Sequence, residues 1–345
     1  MIERYKALAL QVTCQTVNLC QNRTEVDTVI GKTLKTIDNQ IAASKAFVGQ
    51  DLKLVVLPEY FLTGFPMGET LSVWKDKATI EMNGVEYDKM AEIAVKNRIF
   101  LSGNAYETDF NFPNLYFQTS FIISDTGETI LRYRRLNSMF APTPHDVLEK
   151  YLEIYGYEAL FPVAQTAIGN LACIPSEEIL YPEIARCLMM RGAEVFCHSS
   201  SEVGSPLLTP KNVAKLARSI ENMAYIVSAN SAGMAGIAIP FASTDGSSKI
   251  VDYKGLVLCE AGNGESMVAN ADIDLAALRH FRQKPAMANL IARQRFELYA
   301  ESYQNHSFYP PNTLLNHEPS KELFIQNQIK VIDRLFRNEK NEIYP

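Results

Sequence analysis

Short apolar runs alternate along the chain with longer stretches in which apolar positions recur every three or four residues. Tyr5–Val12, Leu52–Leu57 and Ile99–Gly103 read as buried strands. Between the first two, Val26, Val29, Ile30, Leu34, Ile37 and Ile41 fall at helical spacing within Asn22–Ser44, and a further helix is expected over Gly84–Asn97. Tyr116–Ser124 and Thr129–Arg134 are strand-like and are joined by the turn Asp125–Thr126–Gly127, which predicts a hairpin. Residues 137–163 are rich in proline and aromatics and have no period. Loops this long in a compact domain are often functional.

The same order then repeats. Leu171–Ile174 is a short apolar run, closed by Pro175 because proline has no N–H to give a ladder. A helix is expected over Ile179–Met190, a strand over Val195–His198, and a helix over Thr209–Tyr225 with Pro210 in its first turn and Val213, Leu216 and Ile220 on one face. Ile226–Ala229, a hairpin of Lys249–Asp252 and Leu256–Ala261, the strand Met267–Ile273 and a short helix Ala276–Arg282 follow. Two alternating halves, each with a hairpin, predict a layered α/β protein with mixed sheets and helices outside.

The composition changes near Asn305. His306–Pro319 holds three prolines and predicts an extended arm. Ser320–Asn338 places Ile325, Ile329, Ile332 and Phe336 on one helical face, expected to pack on the domain or on a partner subunit. The chain thus divides into a domain over 1–304 and a C-terminal extension over 305–345.

Composition narrows the functional classes. With 345 residues, 47% hydrophobic and 21% charged, the chain can bury a large core. Its net charge of −6 comes without any basic stripe, so nucleic acid is not an expected partner. No apolar stretch reaches membrane-spanning length, and MIERYKALAL lacks the layout of a signal peptide, so a cytoplasmic protein off the membrane is expected. Six scattered cysteines form no C-x-x-C pair and have no histidine at metal spacing. They read as reduced thiols, with no metal expected. Neither a G-x-G-x-x-G after a strand nor a phosphate-loop motif occurs, so no cofactor is expected.

Three strand ends carry candidate chemistry. Glu59 follows Leu57–Pro58. A carboxylate just past a buried strand suits a general base, although such groups also serve as structural ion pairs. Arg135 ends the second strand of the first hairpin, where alternation should turn either Arg134 or Arg135 inward, while a solvated edge is the plain alternative. Ser176 stands at the turn after Leu171–Ile174, where a strand turning into a helix displays its turn residue; serine beside proline is also an ordinary turn residue.

Taken together, Leu57–Pro58–Glu59, Tyr133–Arg134–Arg135–Leu136 and the Glu177–Glu178 stretch leading to Tyr181–Pro182–Glu183 resemble the nitrilase, or carbon–nitrogen hydrolase, superfamily. Arg191–Glu194, Ala217–Asn222 with Ser228–Asn230, Val251–Gly255 and Ala271–Asp274 extend the likeness over about residues 5–300. The resemblance implies a four-layer αββα sandwich, a homo-oligomer (dimer or larger), and a site of two glutamates, a lysine and a cysteine. Glu59 matches the first glutamate. Arg135 stands in the lysine's place and Ser176 in the cysteine's, six residues before Pro182. One further reading is that Ser176 is a cysteine-to-serine trap; arginine in the lysine's place weighs against it, since a trap needs only the one change. Asp146 and Glu149 are candidates for the second glutamate, with His145 beside them, and Glu178 is a further catalytic or substrate-binding candidate. Serine is less acidic than cysteine and needs a well-placed partner. The expected activity is hydrolysis or acyl transfer on a small amide, ester or related acyl compound through Ser176. The alternative is a catalytically inactive member that binds a small ligand or serves as an oligomeric partner.

Overall fold

Alternate residues of the central strands serve two different cores. Ala7, Ala9, Leu54 and Val56 pack with Leu171, Phe196 and Ile226, whereas Leu8, Leu10, Val55 and Leu57 pack with Ile30, Leu34, Ile37 and Met90. This follows from the two-residue period of a strand, which sends successive side chains to opposite faces. One set fills the space between two sheets, and the other seats the helices Arg23–Val48 and Val85–Asn97 on the outer face. The computed structural model describes residues 2–205 and 207–336.

The first sheet has the order Asn270–Asp274, Arg4–Ala9, Leu52–Val56, Phe100–Thr108, Tyr116–Ile123, Thr129–Arg134, with Ile80–Glu81 added beside Phe100–Thr108. Its centre is parallel and its flanks are antiparallel. The second sheet has the order Val257–Glu260, Lys249–Val251, Tyr225–Ala229, Val195–Ser199, Gly169–Cys173, Ala164–Thr166, with the same parallel centre. Pro182–Met190 and Pro210–Asn222 cover its outer side. Helix, sheet, sheet and helix make the expected four layers. Among the described residues, no helix is long and apolar enough to cross a membrane.

Several elements differ from the pattern-based expectation. The helix expected over Ile179–Met190 is a 3-10 turn, Ser176–Leu180, followed by an α-helix, Pro182–Met190. Pro182 drives the residue before it out of the helical region, and Tyr181 sits at φ −94°, ψ 104°. Residues 137–163 contain the α-helix Leu148–Tyr155 between two 3-10 turns. Thr209–Tyr225 is helical only over Pro210–Asn222. Val213 and Ile220 face solvent, while Lys215, Arg218 and Asn222 are buried. Each of the three finds partners inside: Lys215 Nζ meets Glu202, Arg218 Nε donates to the Ile179 carbonyl, and Asn222 Nδ2 donates to the Arg218 carbonyl.

The terminal helix is Lys321–Phe336. It docks through Phe324 and Asn327, with Phe324 packed among Tyr151, Leu160 and Leu314. Ile329, Ile332 and Phe336 are exposed, so that face does not pack on the domain, the first of the two expected placements. The end of that expected helix and the rest of the extension, 337–345, lie outside the described residues.

Candidate active site

Glu59 leaves the end of the Leu52–Val56 strand, and its backbone N–H bonds to the Ser200 carbonyl at 3.1 Å, across the two sheets. Its side chain is fully buried. Gln118 Nε2 donates to Glu59 Oε1 at 2.6 Å and Ser201 Oγ donates to Oε2 at 2.7 Å. Arg135 Nη1 lies 3.4 Å from Oε1 and donates to Gln118 Oε1 at 2.6 Å. Gln118 in turn reaches Asn104 Oδ1 at 3.0 Å, so a polar line crosses the interior from one sheet to the other. A buried carboxylate needs this many partners, because its desolvation is otherwise uncompensated.

Arg135 is buried with all three nitrogens engaged. Nε donates to the Asn137 carbonyl at 2.7 Å, Nη1 to Gln118 and Glu59, and Nη2 to Glu177. Burial works against its charge, but Glu59, Tyr60, Glu177 and Glu178 outweigh that and hold its pKa above the ordinary arginine value. The alternation that should have sent one arginine outward does not hold. Arg134 is also buried, paired with Asp109 at 2.5 Å and lying over the rings of Phe117 and Tyr155.

Ser176 adopts φ 49°, in the left-handed region that non-glycine residues seldom occupy. Its side chain is almost wholly buried. The backbone is held from below: His198 Nε2 lies 2.9 Å from the Ser176 carbonyl, and His198 Nδ1 lies 2.8 Å from Ser228 Oγ. A carbonyl can only accept, so Nε2 carries the proton and Nδ1 accepts from Ser228. Burial first, then the charge of Lys215, pushes the imidazole pKa down to about 3, which keeps the ring neutral. Lys211 Nζ, from the first turn of the Pro210–Asn222 helix, donates to Ser176 Oγ at 3.2 Å. Among the described residues, Ser176 Oγ makes no hydrogen bond to Glu59 or Arg135.

Glu178 is fully buried behind this turn. Oε1 accepts the backbone N–H groups of Leu136 and Asn137 at 2.8 and 2.7 Å, and Oε2 accepts the Tyr133 hydroxyl at 2.6 Å. Burial pushes its carboxyl up to about 7, against the opposing pull of Arg135 and these hydrogen bonds. The residue therefore clamps the chain just after Arg135 to the turn that carries Ser176.

His145, Asp146 and Glu149 occupy a different neighbourhood. Asp146 caps its own 3-10 turn by accepting from Thr143, and accepts from Thr313 Oγ1 at 2.7 Å. Asn312 donates its backbone N–H to the His145 carbonyl at 2.9 Å and its amide to Glu149 at 3.1 Å. The three residues grip the C-terminal arm, and among the described residues none hydrogen-bonds to Glu59, Arg135 or Ser176. Gln118, Ser201, His198, Glu177 and Lys211 complete the cluster but were not singled out from sequence. Of these, only His198 carried a readable signal, a histidine inside a buried strand.

The family model for carbon–nitrogen hydrolases matches residues 16–283. The nitrilase and fragile histidine triad fusion protein of Caenorhabditis elegans is 28% identical over 215 residues, which are 61% of this chain and 47% of that protein, so the chain spans about half of it. The omega-amidase NIT3 of Saccharomyces cerevisiae is 23% identical over 254 residues, covering 73% of this chain and 84% of that one. A carbon–nitrogen hydrolase structure from Helicobacter pylori superposes with a TM-score of 0.62 at 18% identity, covering 87% of this chain and 98% of that one, a likeness of fold.

Proposed function

Since the chain belongs to the carbon–nitrogen hydrolase family, we propose that it hydrolyses or transfers the acyl group of a small amide or ester, with Ser176 as nucleophile. The observation that carries this is the backbone of Ser176. A left-handed serine costs about 1–2 kcal/mol, and such outliers cluster where function over-determines the conformation. Here Pro175, the His198 hydrogen bond and the Glu178 clamp hold it in place. A strained turn from strand to helix is also how other serine hydrolases present a nucleophile.

The reaction follows from the groups present. Ser176 Oγ attacks the acyl carbon, an Oγ–C bond forms, and the hydroxyl proton passes to the Glu59 carboxylate. The C–N bond breaks, and that proton goes to the leaving nitrogen. Water then attacks the acyl carbon while Glu59 takes its proton. The Oγ–C bond breaks, and Oγ is reprotonated as the acid departs. Because Ser176 and Glu59 share no hydrogen bond, the reacting group itself, or a water beside it, bridges the proton path. Arg135 acts as the clamp that holds Glu59 and Glu177.

A second reading has its own support: every nitrogen of Arg135 already has an acceptor in the protein. That suits a closed, non-catalytic cluster in a ligand-binding or scaffolding member of the family. The two are separated by incubating the protein with acyl and fluorophosphonate probes and measuring intact mass. Hydrolysis through Ser176 predicts an adduct that is absent in Ser176→Ala and turnover that rises in Ser176→Cys. An unmodified mass across the panel, with a ligand that raises Tm but is not consumed, would support the non-catalytic reading.

A further inference from the structure

We propose that Lys211 is the catalytic cation of this site, supplying to Ser176 the positive charge that Arg135 cannot; the inference rests on Ser176 being the nucleophile. Three observations converge on it. Arg135 spends its nitrogens on Glu59, Gln118, Glu177 and Asn137. Lys215, one turn further along the helix, is committed to Glu202 at 2.7 Å. Lys211 pairs with no carboxylate among the described residues, and its ammonium lies 3.2 Å from Ser176 Oγ.

The placement also runs against helix electrostatics. A cation in the first turn opposes the helix macrodipole and costs about 0.3–1 kcal/mol. Lys211 sits immediately after Pro210, at the start of the helix. Its position therefore does not serve the helix, and the contact it makes is with the displayed serine. As Oγ–H loses its proton, negative charge grows first on Oγ and then on the carbonyl oxygen bonded to the same carbon. An ammonium already donating to Oγ stays within reach of both. Lysine suits this better than a planar guanidinium, because its donors rotate about one compact charge. Glu202 and Lys215 behind it form a closed pair, and His198 is neutral, so neither cancels the ammonium's field at Oγ.

The test is the rate at which a fluorophosphonate modifies Ser176, followed by intact mass. Modification forms the Oγ–P bond, passes the Oγ proton to Glu59, the base of the proposed mechanism, and releases fluoride. It needs the same stabilisation of negative charge as acyl transfer, without knowledge of the natural substrate. Lys211→Met should slow modification by about 10²–10³-fold, the usual effect of losing one donor to a developing oxyanion. Lys211→Arg, which keeps the charge, should recover most of that loss. Lys211 is partly exposed, so both variants should keep the parental Tm. Equal rates in wild type and Lys211→Met would overturn the assignment and leave the nucleophile standing. Failure of Lys211→Arg to recover any of the loss would overturn it in favour of a neutral lysine acting as base. No modification of the wild type by any probe removes both the nucleophile and the role of Lys211.

Discussion

Replacing Glu178 with glutamine should remove a pH dependence of stability that the wild-type protein owes to one buried carboxyl. Glu178 is fully buried, and its pKa rises from the ordinary 4.5 to about 7. The direction follows from proton linkage. Below about pH 4 the group is protonated in folded and unfolded chains alike and contributes nothing. Between about 4.5 and about 7 the unfolded chain gives up the proton and the folded chain keeps it, so stability falls as pH rises through this window. Above about 7 the folded group ionises too, and the cost levels off. At about 1.36 kcal/mol per pKa unit, the full loss is about 3 kcal/mol.

The substitution is conservative at the contacts. Glutamine Oε1 can still accept from the Leu136 and Asn137 N–H groups, and its amide can donate to the Tyr133 oxygen. Urea unfolding at intervals from pH 4 to pH 8 measures the difference, provided the two proteins share one m-value. The stability of Glu178→Gln relative to wild type should grow by about 3 kcal/mol across that range. Other carboxylates titrate in both proteins and cancel in the difference. Parallel curves would refute the argument. They would mean that Arg135, Tyr133 and the two N–H groups outweigh burial and hold Glu178 ionised.

Two further substitutions test the cluster around it. Arg135→Met strands Glu59 in the interior and should cost about 3–5 kcal/mol by chemical denaturation, with part of the loss returned in the double variant Glu59→Gln/Arg135→Met; strictly additive losses would show that the pair is uncoupled. At Ser176, glycine should be more stable than alanine by about 1 kcal/mol, because only glycine accepts φ 49° without strain, and an alanine variant of equal or greater stability would show that the turn is unstrained.

What could be read from the chain was what depends on neighbours in sequence. The strands Leu52–Val56 and Tyr116–Ile123 show as apolar runs, and the hairpin turn at Asp125–Gly127 shows by its residue types. Glu59, Arg135 and Ser176 could be singled out because each sits just past a strand. The Pro210–Asn222 helix was expected, but which of its faces turns inward was not legible, for the opposite reason. Its inward face is polar: Lys215 meets Glu202, Arg218 Nε donates to the Ile179 carbonyl, and Asn222 Nδ2 donates to the Arg218 carbonyl. A hydrophobic pattern reports burial only where burial is apolar. Asp146 and Glu149 drew attention because they lie in the long loop after Arg135. Their partners, Thr313 and Asn312, come from more than 160 residues further along. Nothing local to that loop could have shown that the arm returns to cover it.

On the proposed reading, arginine in the lysine's place and serine in the cysteine's place are linked by charge. A guanidinium can satisfy several acceptors in one plane, and Arg135 does so with Glu59, Gln118 and Glu177. That engages all three of its nitrogens within the protein and holds two carboxylates beside it. A cysteine could tolerate this, since a thiolate is nucleophilic with modest help. A serine cannot, because its alkoxide is far more costly to form. On the proposed reading, the serine would draw its cation from outside the Arg135 cluster. The first sheet's hairpin has already spent its arginines on Asp109, Glu59 and Glu177. The helix that covers the second sheet brings Lys211 Nζ within 3.2 Å of Ser176 Oγ, and that is the charge the proposed role uses.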